Sequence, residues 1–187
     1  MKKLLLTAVL VVFCLLKVEA QEGSFGVTAG YMNYISKTEY AFKGDRGNSK
    51  NNSSAFFIGV FKEFSINEKL IIHPEFQVGF SENINRGDVS FVVPITFQYE
   101  FFKNLSLLGG PQVDYFTGSY TEYNNWGIGI AIGVQYEISQ KFFVRSNYTI
   151  GLNDKVDEEI DLGGDIIDFN ISKLKSDILT IGVGYRF

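Results

Sequence analysis

The chain has 187 residues, of which 16% are aromatic, and it contains 19 glycines but only three prolines, a composition typical of strands joined by turns. Lys and Arg number 17 against 21 Asp and Glu, so the formal net charge is −4. A nucleic-acid-binding protein would carry a clustered patch of basic residues, so this charge balance excludes nucleic-acid binding as the function.

Residues 1–20 have the features of a secretory signal peptide. Two lysines stand near the start, residues 4–16 form an apolar run, and Val18–Ala20 offers a small-residue cleavage site. The run is too short for a spanning helix, and the only cysteine, Cys14, lies inside it. We therefore expect a mature domain of residues 21–187 that has no cysteine and carries 14 basic against 20 acidic residues.

Eight segments of the mature chain have the alternation of β-strands. The predicted strands are 23–36, 53–66, 69–82, 89–102, 104–118, 124–139, 141–154 and 176–187. Segment 124–139 is the clearest, since bulky apolar residues from Trp126 to Ile138 take one face and mainly Gly, Ala, Gln and Glu the other. A large apolar face opposite small and polar residues predicts lipid outside and a lumen inside. The lengths suit a tilted membrane strand, which needs about 9–11 residues.

The connections between these strands alternate in length. Tight turns are predicted at Asn67-Glu68, Lys103 and Gln140, and longer loops at 37–52, 83–88, 119–123 and 155–175. This asymmetry is typical of outer-membrane barrels, which have short periplasmic turns and longer external loops. The sequence therefore predicts an all-β, eight-stranded, antiparallel up-and-down transmembrane barrel in the outer membrane of a Gram-negative bacterium. The main alternative is a soluble lipocalin-like barrel.

The alternation turns eight ionisable residues toward the lumen. They are Glu63, His73, Glu75, Glu100, Asp114, Glu137, Arg145 and Arg186. A 37-residue hairpin repeat spaces Glu63, Glu100 and Glu137, which places them at one height near the periplasmic end. Arg145 lies on the strand between those of Glu137 and Arg186 and is the predicted bridge. Because eight strands leave room only for their own side chains, we expect a structural charge network. The alternative is a proton or ion path.

Several short motifs, in their order, resemble a known family. They are His73-Pro74-Glu75, the segment 91–99, Gly109–Gln112 and the closing Gly-Tyr-Arg-Phe. Together they resemble the outer-membrane β-barrel domain family abundant in Bacteroidota-type bacteria, the PorT-like small barrels. The resemblance covers nearly the whole mature chain and implies an eight-stranded barrel without a common catalytic site. Resemblance to outer-membrane barrels also implies that the closing strand, with Tyr185 and Phe187 facing lipid, is the signal read by the barrel-assembly machinery.

The polar residues predict no enzyme, no cofactor and no metal site. The single histidine, His73, is expected inside the barrel, so no Ser–His–acid arrangement can form in the outer loops. The acidic segment 154–168 matches no calcium loop and is predicted to be solvated, and Arg86-Gly87-Asp88 is interpreted as a turn.

The predicted function is a non-catalytic structural element or a platform for surface loops. We expect a monomer in contact with outer-membrane lipid and lipopolysaccharide, with no nucleic-acid partner. A narrow solute or ion pore and a surface adhesin remain as alternatives.

Overall fold

A computed structural model describes residues 23–42, 45–81, 89–117, 124–155, 160–161 and 169–187. The described part of the chain forms ten strands: β1 (Phe25–Phe42), β2 (Asp45–Lys62), β3 (Phe64–Ser65), β4 (Leu70–Ser81), β5 (Val89–Phe102), β6 (Leu105–Phe116), β7 (Trp126–Glu137), β8 (Phe142–Gly151), β9 (Ile160–Asp161) and β10 (Phe169–Arg186). The predicted signal peptide, the predicted loops 83–88 and 119–123, and Arg86-Gly87-Asp88 lie outside the described residues.

Eight of these strands close into a barrel. The order is β1-β2-β4-β5-β6-β7-β8-β10, and β10 returns to pair with β1 from Gly26↔Arg186 to Phe42↔Phe169. Each of these pairings between neighbours is antiparallel. The two-residue strands β3 and β9 are additions to β4 and β10. The predicted eight-stranded antiparallel barrel is therefore confirmed.

The two faces of the sheet differ as the alternation predicts. On β7, Trp126, Ile128 and Ile130 are 41–53% exposed, while Gly127 and Gly129 between them are buried. Aromatic rings meet at both ends of the apolar belt: Tyr115 with Trp126 (4.9 Å) at one end, and Phe25 with Phe187 (5.6 Å) at the other. The outer face thus has an apolar band bounded by aromatic girdles, which suits a lipid environment. No helix in the described ranges is both long enough and apolar enough to span a membrane.

The predicted tight turns are held by local hydrogen bonds. The Asn67 side-chain oxygen accepts from the backbone N–H groups of Lys69 and Leu70 (both 2.9 Å). Asn104, at the turn between β5 and β6, has φ of 66°, a left-handed conformation that Asn tolerates better than most residues. Short polar side chains thus supply the turns that the sequence indicated.

Three strands are longer than predicted. The segments 37–52 and 155–175 were expected to be loops, but β1 continues to Phe42, β2 begins at Asp45 and β10 begins at Phe169. β1 pairs with both β2 and β10 along this extension. Cross-strand pairing therefore overrides the weak β-propensity of an Asn- and Ser-rich stretch.

An apolar layer fills the upper half of the lumen. It consists of Met32, Tyr34, Ala55, Phe57, Val92 and Ile178, each at most 6% exposed, with Phe116 packed against it. The Tyr34 hydroxyl lies 2.6 Å from Ser90 Oγ, which satisfies the one polar atom of the layer side chains. The barrel thus has a packed core.

Glycines on the inner face make room for aromatic rings inside the barrel. Gly184, which faces the ring of Phe143, allows a test of this packing. A Cβ at Gly184 would overlap the ring of Phe143, which is 1% exposed and has little freedom to move. We predict that Gly184→Ala destabilises the barrel by about 1–3 kcal/mol, as overpacking does. Urea unfolding in lipid or detergent would measure it.

The matched control is Gly109→Ala on the outer face. There the nearest atom to an added Cβ is 4.0 Å away, so the free energy of unfolding should stay within about 0.5 kcal/mol of the wild type. Equal unfolding energies for the two variants would contradict the packed interior.

Candidate functional site

Six of the eight ionisable residues predicted for the lumen lie together in its periplasmic half. This charge cluster consists of Glu63, His73, Glu75, Glu137, Arg145 and Arg186, which follow β2 or lie on β4, β7, β8 and β10. The sheet brings them together because the alternation of side chains points each of them into the lumen, and because all of them lie near the periplasmic turns.

Arg186 ties three parts of the barrel wall together. Its guanidinium donates to Glu63 through Nε (2.8 Å) and Nη2 (2.9 Å), and to Glu137 through Nη1 (2.5 Å) and Nη2 (2.8 Å). Paired charge-assisted bonds of this kind fix geometry as well as charge. The guanidinium also lies over the Phe143 ring at 4.7 Å. One side chain of the closing strand thus reaches carboxylates from the β2 and β7 sides of the barrel.

Arg145 has a different partner from the one predicted. Its Nη1 donates to Glu75 on β4 (2.8 Å), and its Nε donates to Gln135 (2.8 Å). The predicted bridge to Glu137 is wrong because Glu137 pairs in register with Phe143, and the β7 residue level with Arg145 is Gln135. Arg145 therefore reaches across the lumen to Glu75.

His73 connects the two arginine groups. Its Nδ1 lies 3.3 Å from Glu63 Oε1, and its Nε2 lies 3.5 Å from Glu75 Oε2. The ring stacks on Phe61 at 4.5 Å and is fully buried. Because it is enclosed by side chains of the barrel interior, His73 is remote from any nucleophile at the outer rim.

Two predicted members, Glu100 and Asp114, lie apart from the cluster. Glu100 is exposed beside a register shift at the end of β5, where its carboxylate accepts from the N–H of Asn104 (3.4 Å). Asp114 faces the upper lumen and accepts from Lys155 Nζ (2.8 Å). The expectation that Glu100 joins Glu63 and Glu137 is therefore wrong, since the strand end irregularity leaves it at the rim.

Lys155 is the residue that the sequence analysis missed. It follows β8, is 6% exposed, and lies over the Phe116 ring at 4.2 Å. Its backbone N–H donates to Leu174 O (2.8 Å), and its carbonyl accepts from the N–H of Asn124 (2.7 Å). The backbone of Lys155 thus connects the residue before β7 with β10, beyond the end of β8. One signal in the sequence could have identified it: Lys155 is the only basic residue of the acidic segment 154–168. A lone lysine of this kind can be buried when it pairs with a carboxylate of the barrel interior, as Lys155 does with Asp114.

Side chains fill the space between the charge cluster and the apolar layer. The cavity beside Thr28, Glu75 and Arg145 has a volume of about 10 Å³, room for about one water molecule. Within the ranges that the structure describes, no group of three or more His, Cys, Asp and Glu residues is placed to bind a metal ion. The arrangement holds paired charges in an interior that side chains fill.

The family can now be stated. Residues 5–187 match the family model described as the outer membrane protein beta-barrel domain. The chain belongs to this family. Its predicted location, the outer membrane of a Gram-negative bacterium, is thereby confirmed.

Three solved structures are among those similar to this chain. Neisserial surface protein A is 16% identical with a TM-score of 0.50, covering 89% of this chain and 100% of that one. OprG from Pseudomonas aeruginosa is 12% identical with a TM-score of 0.49, covering 89% and 97%. Ail of Yersinia pestis is 16% identical with a TM-score of 0.44, covering 89% and 100%. At 16% identity, the likeness to Neisserial surface protein A concerns the fold alone. No curated protein matches the chain.

The pairing of Arg145 with Glu75 generates a stability prediction. Arg145→Ala leaves the buried Glu75 carboxylate without its arginine, so we expect a loss of about 3–5 kcal/mol in the free energy of unfolding. Adding Glu75→Gln should recover part of that loss, since the unpaired charge is then removed. Denaturant titration of refolded protein measures both variants.

Glu100→Gln is the matched control, because it removes an inward-predicted carboxylate that lies outside the cluster. Its unfolding energy should stay within about 0.5 kcal/mol of the wild type. A loss at Glu100 as large as that at Arg145 would overturn the cluster as described.

Proposed function

We propose that this outer-membrane barrel is a non-catalytic platform that holds a three-stranded sheet above the membrane surface. The observation that carries this is strand length. β1, β2 and β10 have 18 residues each, whereas the other barrel strands have 10 to 14. Crossing the apolar core takes about 9–11 residues, so these three strands continue well past it.

The filled lumen supports a platform over a general pore. A solute would have to pass both the charge cluster and the apolar layer, and the cavity between them is about 10 Å³. Porins that leave an aqueous channel have about 16–18 strands. The burial of His73 also favours a non-catalytic role, because it leaves the outer rim without the chain's only imidazole.

Three finer assignments belong to the same proposal. The protein is a PorT-like barrel of Bacteroidota type, which rests on the motifs around His73-Pro74-Glu75 and Gly109–Gln112. It is a monomer. Its closing strand is read by the barrel-assembly machinery through Tyr185 and Phe187, whose rings lie edge to face at 5.4 Å on the outer surface. Each stays a prediction.

A closed lumen predicts that the protein does not conduct. Reconstituted into planar bilayers, it should show no stable conductance steps, while a 16- to 18-stranded porin prepared in the same way should show them. Reproducible steps from folded protein would replace the platform with a narrow pore.

The platform role predicts that the extended hairpin is separable from the barrel. Lys37 pairs with Lys50, so replacing residues 38–49 by Asn-Gly would close the hairpin with a two-residue turn. The shortened protein should still fold, with heat-modifiable gel migration and an unfolding energy within about 1 kcal/mol of the wild type, because surface segments tolerate changes in length. Failure to fold would show that the extension is needed by the barrel itself.

A further inference from the structure

A row of three lysines crosses the extended part of the sheet. Lys37 on β1 lies directly opposite Lys50 on β2 and directly opposite Lys175 on β10. All three are exposed. We call these three residues the lysine row.

The lysine row lies on the outer face of the sheet. Lys37 is an even number of residues from Tyr31, and Lys50 from Phe56, so each shares its face with a lipid-facing neighbour. Lys175 likewise shares its face with Ile181. The row therefore continues the lipid-facing surface upward and points away from the lumen.

The height of the row places it just above the apolar belt. Lys37 is twelve residues beyond Phe25 at the periplasmic end, and a tilted strand crosses the apolar core in about 9–11 residues. Tyr148, whose hydroxyl donates to Asp177 (2.7 Å), marks the outer interface beside it. A side chain at this height and on this face meets the headgroups of the outer leaflet.

The row carries more positive charge than its neighbours balance. Asp177 accepts from Lys37 (2.5 Å), and above the row Lys173 pairs with Glu39 (3.4 Å). Within the described ranges neither Lys50 nor Lys175 has an ionic partner. Like charges directly opposite each other destabilise a sheet, so an anion bound from outside the chain would relieve the repulsion within the row.

We propose that the lysine row binds the phosphate groups of the phosphorylated glycolipid, lipopolysaccharide, in the outer leaflet. Neighbouring strands are about 4.8 Å apart, so the row spans roughly 10 Å and can meet more than one phosphate on a single headgroup. Lysine is a suitable ligand, since its ammonium group binds phosphate as a point charge. This inference uses the membrane position of the sheet and does not depend on the platform role.

The test removes the row and measures lipid binding. Wild type and the triple variant Lys37→Gln/Lys50→Gln/Lys175→Gln are refolded in zwitterionic micelles and titrated with purified rough lipopolysaccharide, with thermal stabilisation as the readout. A basic residue near an anionic surface contributes roughly a fivefold factor, so the triple variant should bind roughly 100-fold more weakly. Without lipopolysaccharide the variant should still fold, because the relief of repulsion among the three lysines opposes the loss of the Lys37–Asp177 pair.

The matched control removes three lysines from the periplasmic turns. Lys69→Gln/Lys103→Gln/Lys141→Gln makes the same change in net charge, and its affinity should stay within about twofold of wild type, because these lysines stand on separate turns. Equal affinity for wild type and the row variant, or an equal loss in the control, would overturn the proposal.

Two further titrations identify the source of the phosphate. Phosphatidylglycerol, with one phosphate per headgroup, and inorganic phosphate should each stabilise the wild type less than lipopolysaccharide does. Stabilisation by either to the same extent would overturn the assignment to the glycolipid. If the triple variant does not fold, Lys50→Gln and Lys175→Gln are measured singly, each with an expected loss of roughly fivefold.

Discussion

The pairing of β1 with β10 is the constraint on which the rest of the structure depends. In a bilayer every backbone polar group must find a partner within the protein, so the sheet has to close. Closing it with eight strands leaves a lumen that side chains fill. Charges on the inner face then have little water to solvate them and must pair with one another. Arg186, on the closing strand itself, does so through Glu63 and Glu137.

We expect the charge cluster to contribute more to register than to net stability. Buried ion pairs gain little over apolar packing, because desolvation offsets most of their attraction. A slip of one residue, however, turns every side chain to the opposite face. In β10 such a slip would aim Arg186 at lipid, where a basic residue costs about 2–4 kcal/mol at the midplane and less near the interface. The cluster thus penalises wrong registers that the apolar layer alone would tolerate.

The sequence predicts the wall of this barrel well and its interior contacts poorly. Alternation with period two identifies the eight strands and the inward side chains, since it depends on neighbours in the chain. Which inward side chains meet depends on the stagger between distant strands, and that is why Arg145 lies against Glu75 on β4, across the lumen. The upper ends of β1 and β2 were missed because their polar residues carry no apolar pattern. Lys155 was missed because its pairing with Asp114 on β6 joins residues that are distant in the chain.

The alternation of side chains that places apolar residues toward lipid also places the lysine row on the outer face. β1 extends because it keeps a partner on each side, and three paired strands are about the minimum for a stable sheet in water. Along that extension the parity set by Tyr31 is preserved as far as Lys37. The register shift between β1 and β10 comes only between Glu39 and Tyr40, above the row. The extra residue of this shift is on β10, so a shift below the row would have turned Lys175 toward the lumen side; its position above the row leaves all three lysines over the membrane surface.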